Sequence, residues 1–238
     1  DILKPKYRVG PTAREVAAPI YDRVKDLSEL EKKQYLDLNL WLPGDILLKF
    51  SDGSWISKVI KTGEKLLDKK ENSDVVHAGL LFDNNIIIEA QGSGVSANDL
   101  RVGNKKYGYI VFRCKNANMA SGSAEFAKVL FDSHQNNQKQ KYDLLGAVSS
   151  LFKKKDKVPK AEDLEARVDG IFDNKKHKFF CSQFVVFVYQ FVAEQNGIKA
   201  ADVFGKKDTL VAPSYLATAL VDNAKYFEEV GYLMPNER

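Results

Sequence analysis

Apolar and polar positions fall into runs that separate strands from helices. "PGDILLKF" (43–50) opens on the turn-formers Pro43 and Gly44 and becomes apolar after Asp45, which predicts a strand. "HAGLLF" (77–82) and "NIIIEA" (85–90) predict two more, and the intervening Asp83, Asn84 and Asn85 predict a β-hairpin. "YGYIVFRC" (107–114) predicts a further strand. "SGSAEFAKVLFDSHQ" (121–135) then carries helical spacing, with Ser121 at the N-cap position. "YDLLGAVSSLF" (142–152) predicts a second helix. "FFCSQFVVFVYQFVAEQNG" (179–197) is rich in Val and Phe, but it is too long for one strand; its apolar residues cover nearly every face, so it predicts a buried central helix ending at Gly197.

The flanks are less apolar. Val16, Ile20, Val24 and Leu27 recur at helical spacing, with Pro11 suited to a helix start and Pro19 to a kink, so residues 1–42 are expected to form a helical extension. Residues 153–178 are densely charged and are expected to be an exposed insertion. The tail predicts a helix capped near Ser214, then a strand or loop. No internal repeat or low-complexity linker divides the chain, so a single domain over residues 1–238 is the expectation.

Composition narrows the function classes. The 36 Lys plus Arg against 32 Asp plus Glu give a formal charge of +4 without a basic stripe, which argues against a nucleic-acid partner. Two cysteines, Cys114 and Cys181, make neither a disulfide framework nor a paired metal motif, and no cofactor or metal is expected. No apolar run reaches the roughly 20 residues of a membrane span. The chain is therefore expected to be soluble, with no integral membrane segment. It begins at Asp1, so a removed signal segment stays open.

The chemistry concentrates on His77, one of only 3 histidines. With a three-residue loop over 83–85, Phe82 opposes Ile86 and His77 opposes Gln91, which sets Glu89 diagonal to His77 on one face, at roughly 7 Å between backbones. A two-residue loop would send Glu89 to the other face. Cys181 opens the predicted central helix, where unpaired backbone N–H groups and the helix dipole stabilise a thiolate. An imidazole beside it can move the thiol proton, a carboxylate on the far ring nitrogen can orient that imidazole, and the Cys181 N–H can help hold an oxyanion. Each residue also has a bland alternative: a buried structural cysteine, a packed core histidine, a glutamate at an exposed strand end.

"PGDILL", "HAGLLF", "IIIEA" and "FCSQFV", in that order, resemble the circularly permuted papain-like group of the NlpC-type cell-wall peptidase superfamily, the branch that includes lecithin retinol acyltransferase. The resemblance covers residues 43 to about 220. It implies an α+β fold, a small antiparallel sheet or barrel packed against a central cysteine-bearing helix. It also implies a Cys181–His77–Glu89 triad, and glutamate in place of the acyltransferases' third histidine favours amidase-like or peptidase-like members. Tyr142 and Asp45 are further candidates for the cleft or oxyanion site; packing and turn formation are their respective alternatives. The function the resemblance implies is a cysteine hydrolase of amide bonds, with peptidoglycan stem peptides as substrate and an antibacterial secreted effector as one setting. An effector would be secreted or act in the periplasm, and would bring an immunity protein or secretion machinery as partners. A thioesterase or acyltransferase acting on lipid acyl groups is the alternative.

Overall fold

A computed structural model describes residues 41–50, 75–83, 85–91, 94–102, 104, 107–137, 181–205 and 211–233. The extension over 1–40, the helix expected at 142–152 with Tyr142, the insertion at 153–178 and His177 lie outside the described residues. The described chain is α+β. Six strands, β1 (Ile46–Phe50), β2 (Val75–Asp83), β3 (Ile86–Gln91), β4 (Gly94–Asp99), β5 (Tyr109–Cys114) and β6 (Phe227–Leu233), form one sheet in the order β4-β3-β2-β1-β5-β6. Every neighbouring pair is antiparallel. The helices are α1 (Ala117–Asn137), α2 (Cys181–Gln195), the single turn α3 (Ala200–Val203) and α4 (Pro213–Asp222).

Period-two alternation sorts the strands onto two faces. Ile46, Leu48, Ala78, Leu80, Ile88, Ala90, Val95, Ile110 and Phe112 join the helices in the main core. Leu47, Leu81, Ile87, Tyr109 and Val111 face the other way and pack with Trp41, Leu100 and Val230. The helix α2 is the centre of the main core, with 13 of its 15 residues buried, as its all-round apolar sequence dictates. Phe191 stacks on Phe126 of α1 with ring centroids 4.3 Å apart, and Tyr189 meets Phe204 and Phe227 edge-on. Fully burying side chains of this size contributes roughly 1.5–3 kcal/mol each.

Polar side chains anchor the same helix. Ser182 Oγ donates to the Val211 carbonyl at 2.7 Å, Gln190 Nε2 to the Phe204 carbonyl at 3.0 Å, and the Tyr189 hydroxyl to the Gly44 carbonyl. These bonds fix the axial position of α2, and with it the position of Cys181 at its first turn. Gly197 (φ +73°) ends the helix: its N–H bonds the Glu194 carbonyl and the Ile198 N–H the Ala193 carbonyl.

Three expectations change. The first helix begins at Ala117 rather than Ser121, because Asn116 Oδ1 accepts the Met119 N–H at 3.1 Å and is the cap. Ser214 lies inside α4, whose N-cap is Ala212 and whose first position is Pro213. A strand at 94–99 was not expected at all.

Candidate active site

The hairpin places His77 and Glu89 together. Leu80 pairs with Ile88 and Leu81 with Ile87, the register expected from a three-residue loop, but Asp83 pairs with Ile86. The turn is thus one residue shorter, and Phe82 is a bulge that restores the register. Carried one step further, the register sets Gly79 against Glu89. A Cβ on Gly79 would lie 2.6 Å from Ile87 Cδ1 and 2.8 Å from Glu89 Cγ. Glycine is needed two residues after the histidine because the Ile87 and Glu89 side chains fill that space. Gly79→Ala is expected to cost about 1–3 kcal/mol in unfolding free energy and to lower turnover at least about tenfold, because Glu89 must move off His77. Unchanged activity in that variant would mean that Glu89 is not required where it stands.

A second irregularity lies at the other end of β2. Lys49 pairs with His77 but Phe50 with Val75, so Val76 is an extra residue; it is exposed, while Val75 joins the main core. The bulge re-aims the strand next to His77. His77 Nε2 stands 3.1 Å from Glu89 Oε1; the imidazole is 19% exposed and the carboxylate 2%. Cys181 is its other neighbour, close enough for the thiol to help raise the imidazole pKa. With Nε2 given to Glu89, Nδ1 is the ring nitrogen left for the thiol.

Burial alone would lower the His77 pKa, but the hydrogen bonds and charges of Cys181 and Glu89 outweigh it and raise the value to about 9. The imidazole is therefore mainly cationic at neutral pH. Protonated His77 between a thiol and a buried carboxylate can stabilise a sulfur anion and hand a proton to a departing atom.

Glu89 is held from beneath as well. Its Oε2 accepts from Asn98 Nδ2 at 2.9 Å and from Asn104 Nδ2 at 3.1 Å. Tyr109 lies beside them; burial, then the charge of Glu89, push its pKa far up, so its hydroxyl stays neutral. Lys49, directly across from His77, lays its ammonium 3.1 Å from the Tyr107 ring centroid.

Asp45 goes elsewhere. It is 1% exposed and takes a bidentate grip from Arg113, Nε to Oδ1 at 2.7 Å and Nη2 to Oδ2 at 2.6 Å, while its Oδ2 also accepts the Leu42 N–H at 2.8 Å. Gly44 (φ +88°) completes that turn. Asp45 precedes Ile46, which pairs with Leu80, so it sits some four residues, about 13 Å, along β1 from the level of His77. It organises the turn, as one of its two expected roles had it. Cys114 is buried near this pair: burial, and secondarily the charge of Asp45, push its thiol up to about 12. Gln183 and His134 are half-buried, the latter packed against Gly94.

The sequence singled out His77, Glu89 and Cys181, and the fold brings those three together. It missed Asn98 and Asn104, which stand in "SANDLRVGN", a stretch whose Asn, Asp and Gly signal turns. The described residues contain no cluster of three or more His, Cys, Asp or Glu side chains able to hold a metal ion, and no helix long and apolar enough to cross a membrane. A scan against family models and searches of curated proteins and of solved structures returned no match.

Proposed function

We propose that the protein is a cysteine hydrolase that cleaves amide bonds, with Cys181 as nucleophile, His77 as proton carrier and Glu89 as the group that orients His77. The observation that carries this reading is the contact of one imidazole with both the Cys181 thiol and the Glu89 carboxylate. The four sequence stretches that resemble permuted papain-like enzymes add the reaction class and the fold comparison, since an antiparallel sheet with a cysteine-bearing helix against it is compatible with that group. Their order, histidine strand before cysteine helix, is what the permutation requires.

The chemistry follows from the charges. The Cys181 sulfur, as thiolate, attacks the carbonyl carbon of the scissile amide. The developing oxyanion meets the N–H groups of the first turn of α2, which have no acceptor within the helix. His77 gives its proton to the amide nitrogen, the C–N bond breaks, and an amine leaves a thioester on Cys181. His77, now neutral, takes a proton from water; the hydroxide attacks the thioester, and the freed acid departs as the thiolate–imidazolium pair is restored.

His77 must be protonated for the first half of this cycle, so kcat/KM is expected to fall as pH rises through about 9. Glu89 raises that value, so Glu89→Gln should move the alkaline limb to lower pH, toward the unperturbed 6.5. Turnover at the optimum should drop less than in His77→Ala, which removes proton transfer altogether. An alkaline limb that does not move in Glu89→Gln would exclude Glu89 as the partner that sets it.

Peptidoglycan stem peptides are the proposed substrate, on the resemblance. Purified peptidoglycan is incubated with the protein or with Cys181→Ala, and the soluble muropeptides are analysed by mass spectrometry. New muropeptides from the intact protein alone are expected. Fatty-acid release from phospholipid vesicles, with peptidoglycan untouched, would transfer the protein to the acyl-group alternative.

A further inference from the structure

We propose that Asn98 and Asn104 are positioning residues of this site: their amides clamp one oxygen of Glu89 so that the other stays on His77 and the imidazole stays turned toward Cys181. The proposal rests on the reading of Cys181 and His77 as an active pair. A glutamate has three side-chain torsions, and nothing in its own strand would hold its carboxylate in one orientation. Here two donors from separate stretches of chain meet the same oxygen, Oε2, at 2.9 and 3.1 Å, and leave Oε1 alone to face His77 at 3.1 Å. Two bonds to one oxygen at one end and an ion pair at the other fix both the position and the rotation of the carboxylate.

The sheet explains how the donors arrive. Ser96 is directly opposite Glu89 and Asn98 opposite Ile87, so Asn98 is the diagonal neighbour of Glu89 on the face that carries His77. Ser96 Oγ lies 3.4 Å from Asn98 Nδ2. Asn104 lies between β4 and β5, and its own backbone is held by bonds from Asn104 N to the Asp99 carbonyl at 3.2 Å and from Tyr107 N to the Asn104 carbonyl at 3.0 Å. Asp99 is tied in turn by Asn85 Nδ2 and the Arg101 N–H, each at 2.7 Å. Only the nitrogen end of each amide can face a carboxylate, because the oxygen end offers no proton. Both Asn residues are therefore specified chemically and not only by size.

The test reads His77 directly and needs no substrate. The titration of His77 is followed by NMR in the full chain, where only 3 histidines compete for assignment, and iodoacetamide labelling of Cys181 is followed in parallel. Asn98→Ala and Asn104→Ala should each lower the His77 midpoint by about one unit, a tenfold weaker hold on the proton, and slow labelling of Cys181. In a Glu89→Gln background the same substitutions should add nothing further, since they act through Glu89. An unmoved midpoint in a folded single variant, or an equal shift with and without Glu89, overturns the clamp. Should Asn104→Ala fail to fold, Asn98→Ala carries the decision, because its backbone bonds are those of the sheet. A midpoint that falls as expected in a protein that hydrolyses no amide substrate would leave the clamp standing and remove the proposed function instead.

Discussion

Cys181→Ala is expected to abolish turnover, by about 10⁴-fold or more, while leaving the fold nearly intact. The loss is large because no other group at the site can form the thioester: His77 and Glu89 move or orient protons but offer no nucleophile suited to a covalent intermediate. Stability should change little, since the Cys181 side chain is small and the start of α2 is pinned independently by Ser182 on the Val211 carbonyl. Cys114→Ala is the internal comparison. That thiol is also buried, but its surroundings push it up to about 12, and it lies beside Asp45 and not beside an imidazole. Its removal should trim a methyl-sized volume of packing and leave kcat near the starting value. Equal losses in the two variants would mean that both act through stability, and the assignment of Cys181 would fail.

Asp45→Ala is expected to do the reverse: cost about 3–5 kcal/mol of unfolding free energy, read from urea denaturation, and leave kcat per folded molecule largely unchanged. The Asp45–Arg113 pair is almost wholly excluded from water, at 1% and 4% exposure of the two side chains. Removing the carboxylate strands the guanidinium charge without its bidentate partner and frees the Leu42 N–H that closed the turn. Replacing both members by apolar residues, Asp45→Leu with Arg113→Met, should recover much of the loss, because the two buried charges of the pair are then removed together. A stable Asp45→Ala protein with kcat strongly reduced would put Asp45 back in the cleft.

What could be read from the sequence follows what each signal depends on. The Glu89–His77 proximity was legible because side chains alternate strictly along strands, so once the hairpin register was chosen the shared face followed. The register came out as expected although the turn did not: the bulge at Phe82 makes up for a shorter loop, and a single extra residue leaves no mark in the apolar pattern. The helical reading of 181–195 held because length and all-round apolarity outweigh the strand preference of Val and Phe. The strand at 94–99 was illegible for the opposite reason. Its core-facing positions are Val95 and Ala97, its other face is Ser96 and Asn98, and Gly, Asn and Asp are depleted in strands. Missing that strand hid the amides on Glu89, which come from 9 and 15 positions farther along the chain.

The central claim, that His77 activates Cys181, is tested most directly by the rate of iodoacetamide labelling at each cysteine from pH 5 to 10, resolved by peptide mass mapping in the intact protein and in His77→Ala. An ordinary thiol loses reactivity steadily as pH falls below its own titration, whereas a sulfur paired with imidazolium keeps it. The account predicts that Cys181 reacts well before Cys114, that its labelling persists near pH 6, and that His77→Ala removes this low-pH reactivity. Labelling of Cys114 first, or a Cys181 profile that His77→Ala leaves unchanged, would contradict it.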